Sequence, residues 1–382
     1  MRGRKWLWFL VVVAALLTLG GCGGDDESEG AAGSETAAET QAAPKQLDKV
    51  TLQLKWVTQA QFAGYYSALE QGFYEQEGLD VTIKPGGPDI IPEQVVLGGQ
   101  ADFGIDWLDN LLATRDQGGK IVNIAQVFTR SGMTEVSFKE KGIDSISDMR
   151  GKKLGVWLGG NEHKLFAALT KNGINPKNKQ DVTIVAQPFD MNLLLNGEVD
   201  AAAAMTYNEL AQVLEQKNPD TDELYQLEDL NVIKMSDVGT GALEDGVFVT
   251  EEWLADEKNQ DIAKRFLTAS FRGWLHCRDN QEDCLQTVLD NGATLGEGHQ
   301  RWQLNEINAL IWPAAQGIGV MDPESFQVTA NIAKQYDIIK KPADDAAYTT
   351  EYAEAAVAAL EDEDTKGDSW QKEEVEVTPG GE

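Results

Sequence analysis

From Val50 onward the chain alternates short period-two runs with amphipathic segments, and glycines separate many of the units. Val50-Thr-Leu-Gln-Leu-Lys-Trp56 alternates apolar and polar residues and reads as a strand. Residues 61–71 place Phe62, Tyr65, Tyr66 and Leu69 at helical spacing and stop at Gly72. A strand at 79–83, a helix at 91–97 closed by Gly98-Gly99, a strand at 101–105, a helix at 108–116 before Gly118-Gly119 and a strand at 121–128 follow. Parallel strands need a crossover between them and are covered on both faces. This βαβαβαβ run therefore predicts a mostly parallel sheet flanked by helices.

The rhythm then repeats, with a helical turn at 146–150, a strand at 153–157, a helix at 162–171, a strand at 182–186, a helix at 191–196, a strand at 199–205 and a helix at 207–216. Residues 240–250 lead into Trp253 and a run of helices to Leu360 that shows no clear strand pattern, so this last segment is expected to return to the first lobe. In open parallel sheets a ligand sits beyond the carboxyl ends of the strands. That rule singles out five loops, at 56–62, 106–107, 157–162, 187–191 and 205–208.

Charge narrows the partner. With 32 Lys+Arg against 63 Asp+Glu the formal net charge is −31. Such a surface repels a phosphate backbone and excludes an electrostatic nucleic-acid binder. It equally disfavours docking onto anionic lipid through a basic patch. A hydrophobic content of 42% with ten Trp is too rich for a disordered acidic chain.

The N-terminus is basic (Arg2, Arg4, Lys5), then apolar from Trp6 to Leu19, then small up to Cys22, the pattern of a secretory leader over 1–21. The apolar run falls short of the about 20 residues a spanning helix needs. Leu19-Gly20-Gly21-Cys22 resembles a bacterial lipobox, which implies lipidation of Cys22 and an exported protein anchored to the cell membrane by lipid. Residues 22–46 contain no large apolar residue and read as an acidic flexible tether, and 361–382 as an acidic tail that leaves Trp370 unexplained. Cys277 and Cys284, seven positions apart, would stand about 10.5 Å apart along one straight helix. Asn280 reads as the start of a new helix, and the turn it makes lets the two thiols meet, so a disulfide is expected over two free thiols.

Four motifs in order carry a family resemblance. Gln61-Phe-Ala-Gly-Tyr-Tyr-Ser-Ala-Leu-Glu-Gln-Gly-Phe-Tyr-Glu-Gln-Glu-Gly-Leu-Asp-Val81, Val96-Leu-Gly-Gly-Gln-Ala-Asp-Phe-Gly-Ile105, Ile146-Ser-Asp-Met-Arg-Gly-Lys-Lys-Leu-Gly-Val156 and Asn196-Gly-Glu-Val-Asp-Ala201 are similar to the SsuA/ThiY/RibY-type solute-binding proteins of ABC importers. Together they span about 48–360. The resemblance implies a two-lobed α/β clamshell (type II periplasmic-binding-protein fold) that closes on a small molecule and delivers it to a membrane permease, acting as a monomer without a cofactor. Lobe 1 is expected at 47–137 and 244–360, and lobe 2 at 138–243. Residues 55–64 and 155–162 resemble both the RibY-like riboflavin-binding branch and the ThiY-like branch for thiamine-pyrimidine precursors.

The candidate ligand contacts are Trp56, Gln59, Gln61, Asp106, Trp107, Trp157, Gly160, Asn161, Glu162, Asp190, Tyr207 and Asn208. Trp56, Trp107 and Trp157 at strand ends suggest a flat heterocycle held by stacking, although covering a core edge is the ordinary role of such residues. Asp106, Glu162 and Asp190 are acidic, and no Arg occurs in the five loops. Lys55 is set aside because strand alternation points it away from Trp56. A sulfonate or phosphate would want a guanidinium fork or a paired lysine, so the expected cargo is neutral and donor-rich, riboflavin or an aminopyrimidine. Asp106 and Asp190 can equally be helix caps, and Asn161 an N-cap. His163 stands beside Glu162 one turn into a helix and reads as a surface residue, His276 and His299 lie in the helical tail region, where Cys277 is expected in a disulfide, and no Gly-x-Ser-x-Gly, phosphate loop or metal-ligand spacing is present. The alternatives are an SsuA-like sulfonate binder and a pyrimidine synthase of the eukaryotic type. That enzyme type relies on a Cys-rich motif, and this chain has no Cys between Cys22 and Cys277.

Overall fold

The computed structural model describes residues 46–382. The leader at 1–21, Cys22 and the tether up to its last residue lie outside the described residues. No helix among the described residues is long and apolar enough to cross a membrane.

Strand β1 (Asp48–Gln53), helices α1 (Ala63–Glu70) and α2 (Phe73–Gln76), β2 (Leu79–Lys84), α3 (Pro92–Leu97), β3 (Phe103–Asp106), α4 (Leu108–Asp116) and β4 (Ile121–Gln126) form the first run. Then come β5 (Met133–Phe138), β6 (Lys153–Val156), α5 (His163–Lys171), β7 (Thr183–Ala186), α6 (Asn192–Leu195), β8 (Ala201–Met205), α7 (Glu209–Leu214) and β9 (Leu230–Lys234). The chain closes with β10 (Gly246–Thr250), α8 (Glu251–Leu254), α9 (Glu257–Asp279), α10 (Gln281–Asn291), α11 (Glu297–Ile311), α12 (Pro323–Gln335) and α13 (Glu351–Ala359).

The strands make two five-stranded sheets, β2-β1-β3-β10-β4 and β7-β6-β8-β5-β9. In each sheet four strands point one way and one runs antiparallel, β10 in the first and β5 in the second. The architecture is the two-lobed α/β one. The sequence pattern did not yield β5, β9 or β10, and two of these three are the antiparallel strands. β5 and β10 are the segments by which the chain passes between lobes, so no βα rhythm announces them. Because β5 belongs to the second sheet, the first crossing comes at 129–132, before residue 138. Residues 133–137 pair with lobe 2, and Met133 lies opposite Met205.

The helical C-terminal half packs back on lobe 1. Asp256 caps α9 through its side chain on the Lys258 N–H, and Asp322 caps α12 on the Ser325 N–H ahead of Pro323. α9 crosses α1 so closely that a Cβ on Gly273 would stand 2.0 Å from the Gly64 carbonyl. Nearby, Phe266 stacks on Phe103 at 4.1 Å between centroids. α9 ends at Asp279 and α10 begins at Gln281, and this turn brings the Cα atoms of Cys277 and Cys284 to 5.0 Å, joined by a disulfide.

The segment at 361–382 is not a free acidic tail. Trp370 packs on the main core and Val377 on the lobe 2 cluster. Asn305 Nδ2 donates to the Glu373 carbonyl at 2.8 Å and the Glu373 N–H donates to Asn305 Oδ1 at 3.0 Å. The Gly380 N–H reaches the Glu215 carbonyl just beyond α7. Two apolar anchors and paired backbone bonds hold a stretch that composition alone assigns to solvent.

Candidate ligand-binding cleft

Two adjoining cavities open between the lobes at the strand ends, with empty volumes of about 320 and 1160 Å³, and Lys55, Trp56 and Asn161 line both. The first is a small pocket and the second a broader side chamber.

Of the sequence-derived candidates, Trp56, Gln59, Gln61 and Trp107 line the first cavity from lobe 1. Trp157, Asn161, Tyr207 and Asn208 line it from lobe 2. Asp106, Gly160 and Glu162 line the side chamber. Asp190 lines neither, because its Oδ1 accepts the Asn192 N–H at 3.0 Å at the start of α6. Lys55 does line the cleft beside Trp56. β1 ends at Gln53, so strand alternation no longer governs Lys55. Met205 and Glu209 in the first cavity, and Glu93, Asn110 and His163 in the chamber, were not found from sequence. Glu209 directly follows Asn208 past a strand end, a signal that was available. Glu93 and Asn110 sit within helices, where nothing local marks them.

Trp56 and Trp157 meet edge to face across the cleft, with centroids 6.4 Å apart. The Trp157 Nε1–H donates to the Pro188 carbonyl at 3.0 Å, which fixes that indole. Trp107 is differently placed. Its Nε1–H donates to Asp245 Oδ1 at 3.1 Å, and Lys55 Nζ and Lys164 Nζ lie 4.4 and 3.6 Å from its ring centroid. Two cations already occupy the π-surface of Trp107, which leaves Trp56 and Trp157 as the rings for stacking.

The carboxylates expected to accept from a ligand largely accept from the protein. Asp106 Oδ1 takes Lys55 Nζ at 2.5 Å, the Trp107 N–H at 2.6 Å and Asn110 Nδ2 at 3.0 Å. Glu162 Oε2 takes the Gly160 N–H at 2.8 Å. Gly160 itself has φ 118°, and a Cβ there would stand 2.5 Å from Asn110 Oδ1. Only glycine lets this loop of lobe 2 approach α4 of lobe 1 so closely.

Beneath the cleft lies a buried charge cluster. Lys164 of α5 is fully buried, with Nζ 3.6 Å from Asp109 Oδ2 of α4 and 3.9 Å from Glu244 Oε1. Burial acts to raise the Asp109 carboxyl, but Lys164 and then His163 outweigh it and hold it down at about 2. Glu244 accepts from the Ser131 hydroxyl and the Gly132 N–H, so it ties together the two chain crossings.

Two further carboxyls beside the first cavity behave oppositely. Burial pushes Asp245 and Glu209 each up to about 7. The unfolded chain ionises them near 3.8 and 4.5, while the folded chain keeps their protons until about pH 7. Their contribution to stability is therefore full below about pH 4 and is lost as pH rises to about 7, on the order of 4 kcal/mol for Asp245 and 3 kcal/mol for Glu209. The urea midpoint is expected to fall between pH 5 and 7.5, and Asp245→Asn or Glu209→Gln each to flatten that slope. An unfolding curve series flat over this range in the parent protein would contradict the assignment.

The NMT1/THI5 like family matches residues 59–284. Riboflavin-binding protein RibY of Chloroflexus aurantiacus is 24% identical over 334 residues, covering 84% of this chain and 90% of that protein. The formylaminopyrimidine-binding protein of Halalkalibacterium halodurans is 23% identical over 261 residues, covering 68% of this chain and 74% of its own. A 4-amino-5-hydroxymethyl-2-methylpyrimidine phosphate synthase of Schizosaccharomyces pombe is 22% identical, covering 64% of this chain and 68% of its own. Among solved structures, the periplasmic aliphatic sulphonate binding protein SsuA of Escherichia coli shares the fold with a TM-score of 0.57 at 14% identity, over 79% of this chain and 91% of that one. The match begins after β1, takes in the other four strands of the first sheet, the second lobe and both crossings, and stops in α10, and the chain belongs to the NMT1/THI5-like family.

Proposed function

We propose that the chain is an exported solute-binding protein that captures a flat, neutral heterocycle, riboflavin or an aminopyrimidine vitamin precursor, and delivers it to an ABC permease. The observation that carries this reading is the pair of indoles, Trp56 and Trp157, offered by opposite lobes at the mouth of one small pocket. A flat ring between them replaces the Trp–Trp contact with two stacking contacts, so binding favours the closed arrangement of the lobes. The charge balance supports a neutral cargo. Neither cavity is lined by arginine, Lys55 is paired with Asp106, and Lys164 is buried against Asp109. A sulfonate would find no unpaired cation in this lining. The riboflavin and formylaminopyrimidine binders among the relatives have names that agree with this class of cargo.

The rest of the reading joins the sequence to the site. Residues 1–21 direct export, lipidated Cys22 holds the protein to the membrane, and the tether to residue 46 lets a monomeric body reach its permease. Binding rather than catalysis is the proposed role. Cys277 and Cys284 are tied to each other between α9 and α10 and do not line the cleft. Titration with riboflavin and with an aminopyrimidine, followed by tryptophan fluorescence, tests the reading. One of the two is expected to quench the indoles with micromolar or tighter affinity, and no response to either sinks the ligand assignment.

A further inference from the structure

Helix α11 reaches pocket residues of both lobes from its first two turns. Gln300 Oε1 accepts the Ala60 N–H at 2.7 Å and Gln303 Oε1 the Gln61 N–H at 3.1 Å, which fixes the lobe 1 loop that brings Gln59 and Gln61 to the pocket. His299 and Trp302 reach the other way. The Trp302 Nε1–H donates to the Thr206 carbonyl at 3.0 Å, and His299 Nε2 lies 2.9 Å from Asn208 Oδ1 on the lobe 2 wall of the pocket.

Asn208 stands at the N-cap of α7, where asparagine ordinarily accepts a free N–H of the first turn, yet its side chain makes no cap bond. Its neighbours set the orientation of its amide. The Phe189 carbonyl can only accept, so the Gln212 atom 3.3 Å from it is Nε2, and the same Nε2 donates to Asn208 Oδ1 at 3.3 Å. Asn208 Nδ2 donates to Glu209 Oε1 at 2.9 Å. The hydrogen bond between His299 and Oδ1 is therefore donated by the Nε2–H of the imidazole. Glu215 Oε1, 2.7 Å from Nδ1, pins the ring from its other side. An amide nitrogen has two N–H donors, and the second one of Asn208 has no partner among the described residues.

From this arrangement we infer that His299 is a positioning residue of the ligand pocket. It holds Oδ1 of Asn208 toward α11, so the amide presents an N–H to an acceptor of the ligand, a ring nitrogen or a carbonyl oxygen. The segment at 377–381 keeps His299 in place. Val377 packs on the lobe 2 cluster, and the Gly380 N–H donates to the Glu215 carbonyl at 2.9 Å. Gly381 sits so close to the pair that a Cβ there would stand 2.8 Å from His299 Cβ and 3.0 Å from Glu215 Oε2. The inference rests on the ring-pocket reading above and deepens it.

Calorimetric titration of the full chain with riboflavin and with 4-amino-5-hydroxymethyl-2-methylpyrimidine tests this, each variant being compared on the compound that the parent binds. His299→Leu is expected to lose about tenfold in affinity, the worth of one hydrogen bond. His299→Gln, which restores a donor to Asn208 but not the bond to Glu215, is expected to recover most of that loss. In an Asn208→Ala background His299→Leu should cost less than threefold more. A loss below threefold in the parent, or an equal cost in both backgrounds, overturns the positioning role and leaves the ring pocket standing. Asn208→Asp puts an oxygen where the N–H stands and is expected to lose at least tenfold; binding within threefold of the parent overturns the donor assignment. Gly380 and Gly381 share a left-handed backbone, φ 69° and 75°, but a Cβ on Gly380 meets nothing within 4 Å. Gly381→Ala should therefore weaken binding at least fivefold and Gly380→Ala less than twofold, and equal losses overturn the part given to the segment. If the parent binds neither compound, the ring-pocket reading falls and this inference with it.

Discussion

Trp56→Ala is expected to weaken riboflavin binding by about 30-fold or more, the loss of roughly 2 kcal/mol that accompanies removal of an aromatic anchor. Trp56 is the informative choice among the three indoles. Trp107 is 3% exposed and carries two ammonium groups against its ring, so truncating it would disturb the charge cluster as well as any ligand. Trp157 is 6% exposed and hydrogen-bonded to Pro188, and opening a cavity there costs about 3–5 kcal/mol of folding stability. Trp56 is only half-buried and borders both cavities, so its removal falls on the ligand more than on the core. Trp157→Phe serves as the partner measurement, since phenylalanine keeps a stacking face while losing the bond to Pro188, and should retain most of the affinity. Titration of Trp56→Ala by calorimetry, with far-ultraviolet circular dichroism to verify the fold, decides the matter. A loss below threefold means the indole is only a cover for the core edge.

The parts of this molecule that were legible in the sequence are those built from local, repeating units. Each glycine-closed βα unit of the first lobe shows its strand by alternation and its helix by spacing, and eleven of the twelve candidate contacts lie along the two cavities because strand ends converge on the cleft. What stayed hidden depends on long-range pairing. β10, Gly-Val-Phe-Val-Thr, is buried along nearly its whole length and inserts between β3 and β4, strands that come more than 100 residues earlier. Its continuous apolar run reads equally as the start of a helix. Lys55 was misjudged because a period-two argument was extended two residues beyond the strand's end. The segment after residue 360 looks solvated until Trp370 and Val377 find their partners. The places of Glu93 and Asn110 in the chamber lining are properties of a three-dimensional enclosure, and no spacing rule reports them.

Lys164→Met is expected to weaken ligand binding at pH 7 by at least 100-fold, and the deficit should shrink as pH falls. Lys164 belongs to lobe 2 and Asp109 to lobe 1, so their 3.6 Å approach exists only while the lobes are together. Removing one partner of a buried pair leaves an uncompensated charge, at about 3–5 kcal/mol. Opening the cleft returns Asp109 to water, so the penalty falls on closure, and through closure on affinity. With Lys164 gone, what remains to offset that charge is His163, whose Nδ1 lies 3.7 Å from Asp109 Oδ2, and a proton taken up on closing. In the parent protein the Asp109 carboxyl stays near 2, so closure exchanges no proton at that site from pH 7 down to 5. In the variant, burial acts without Lys164, the closed form carries protonated Asp109 and the open form the carboxylate. Affinity then rises toward tenfold per unit of pH lost between 7 and 5, a slope the parent lacks at this site. Asp109→Asn in the same chain removes the orphaned charge and should restore most of the binding at pH 7, which a general folding defect would not allow. Calorimetric affinities of the four proteins at pH 5, 6 and 7 measure all of this. If Lys164→Met binds within threefold of the parent at pH 7, the pair contributes nothing to closure.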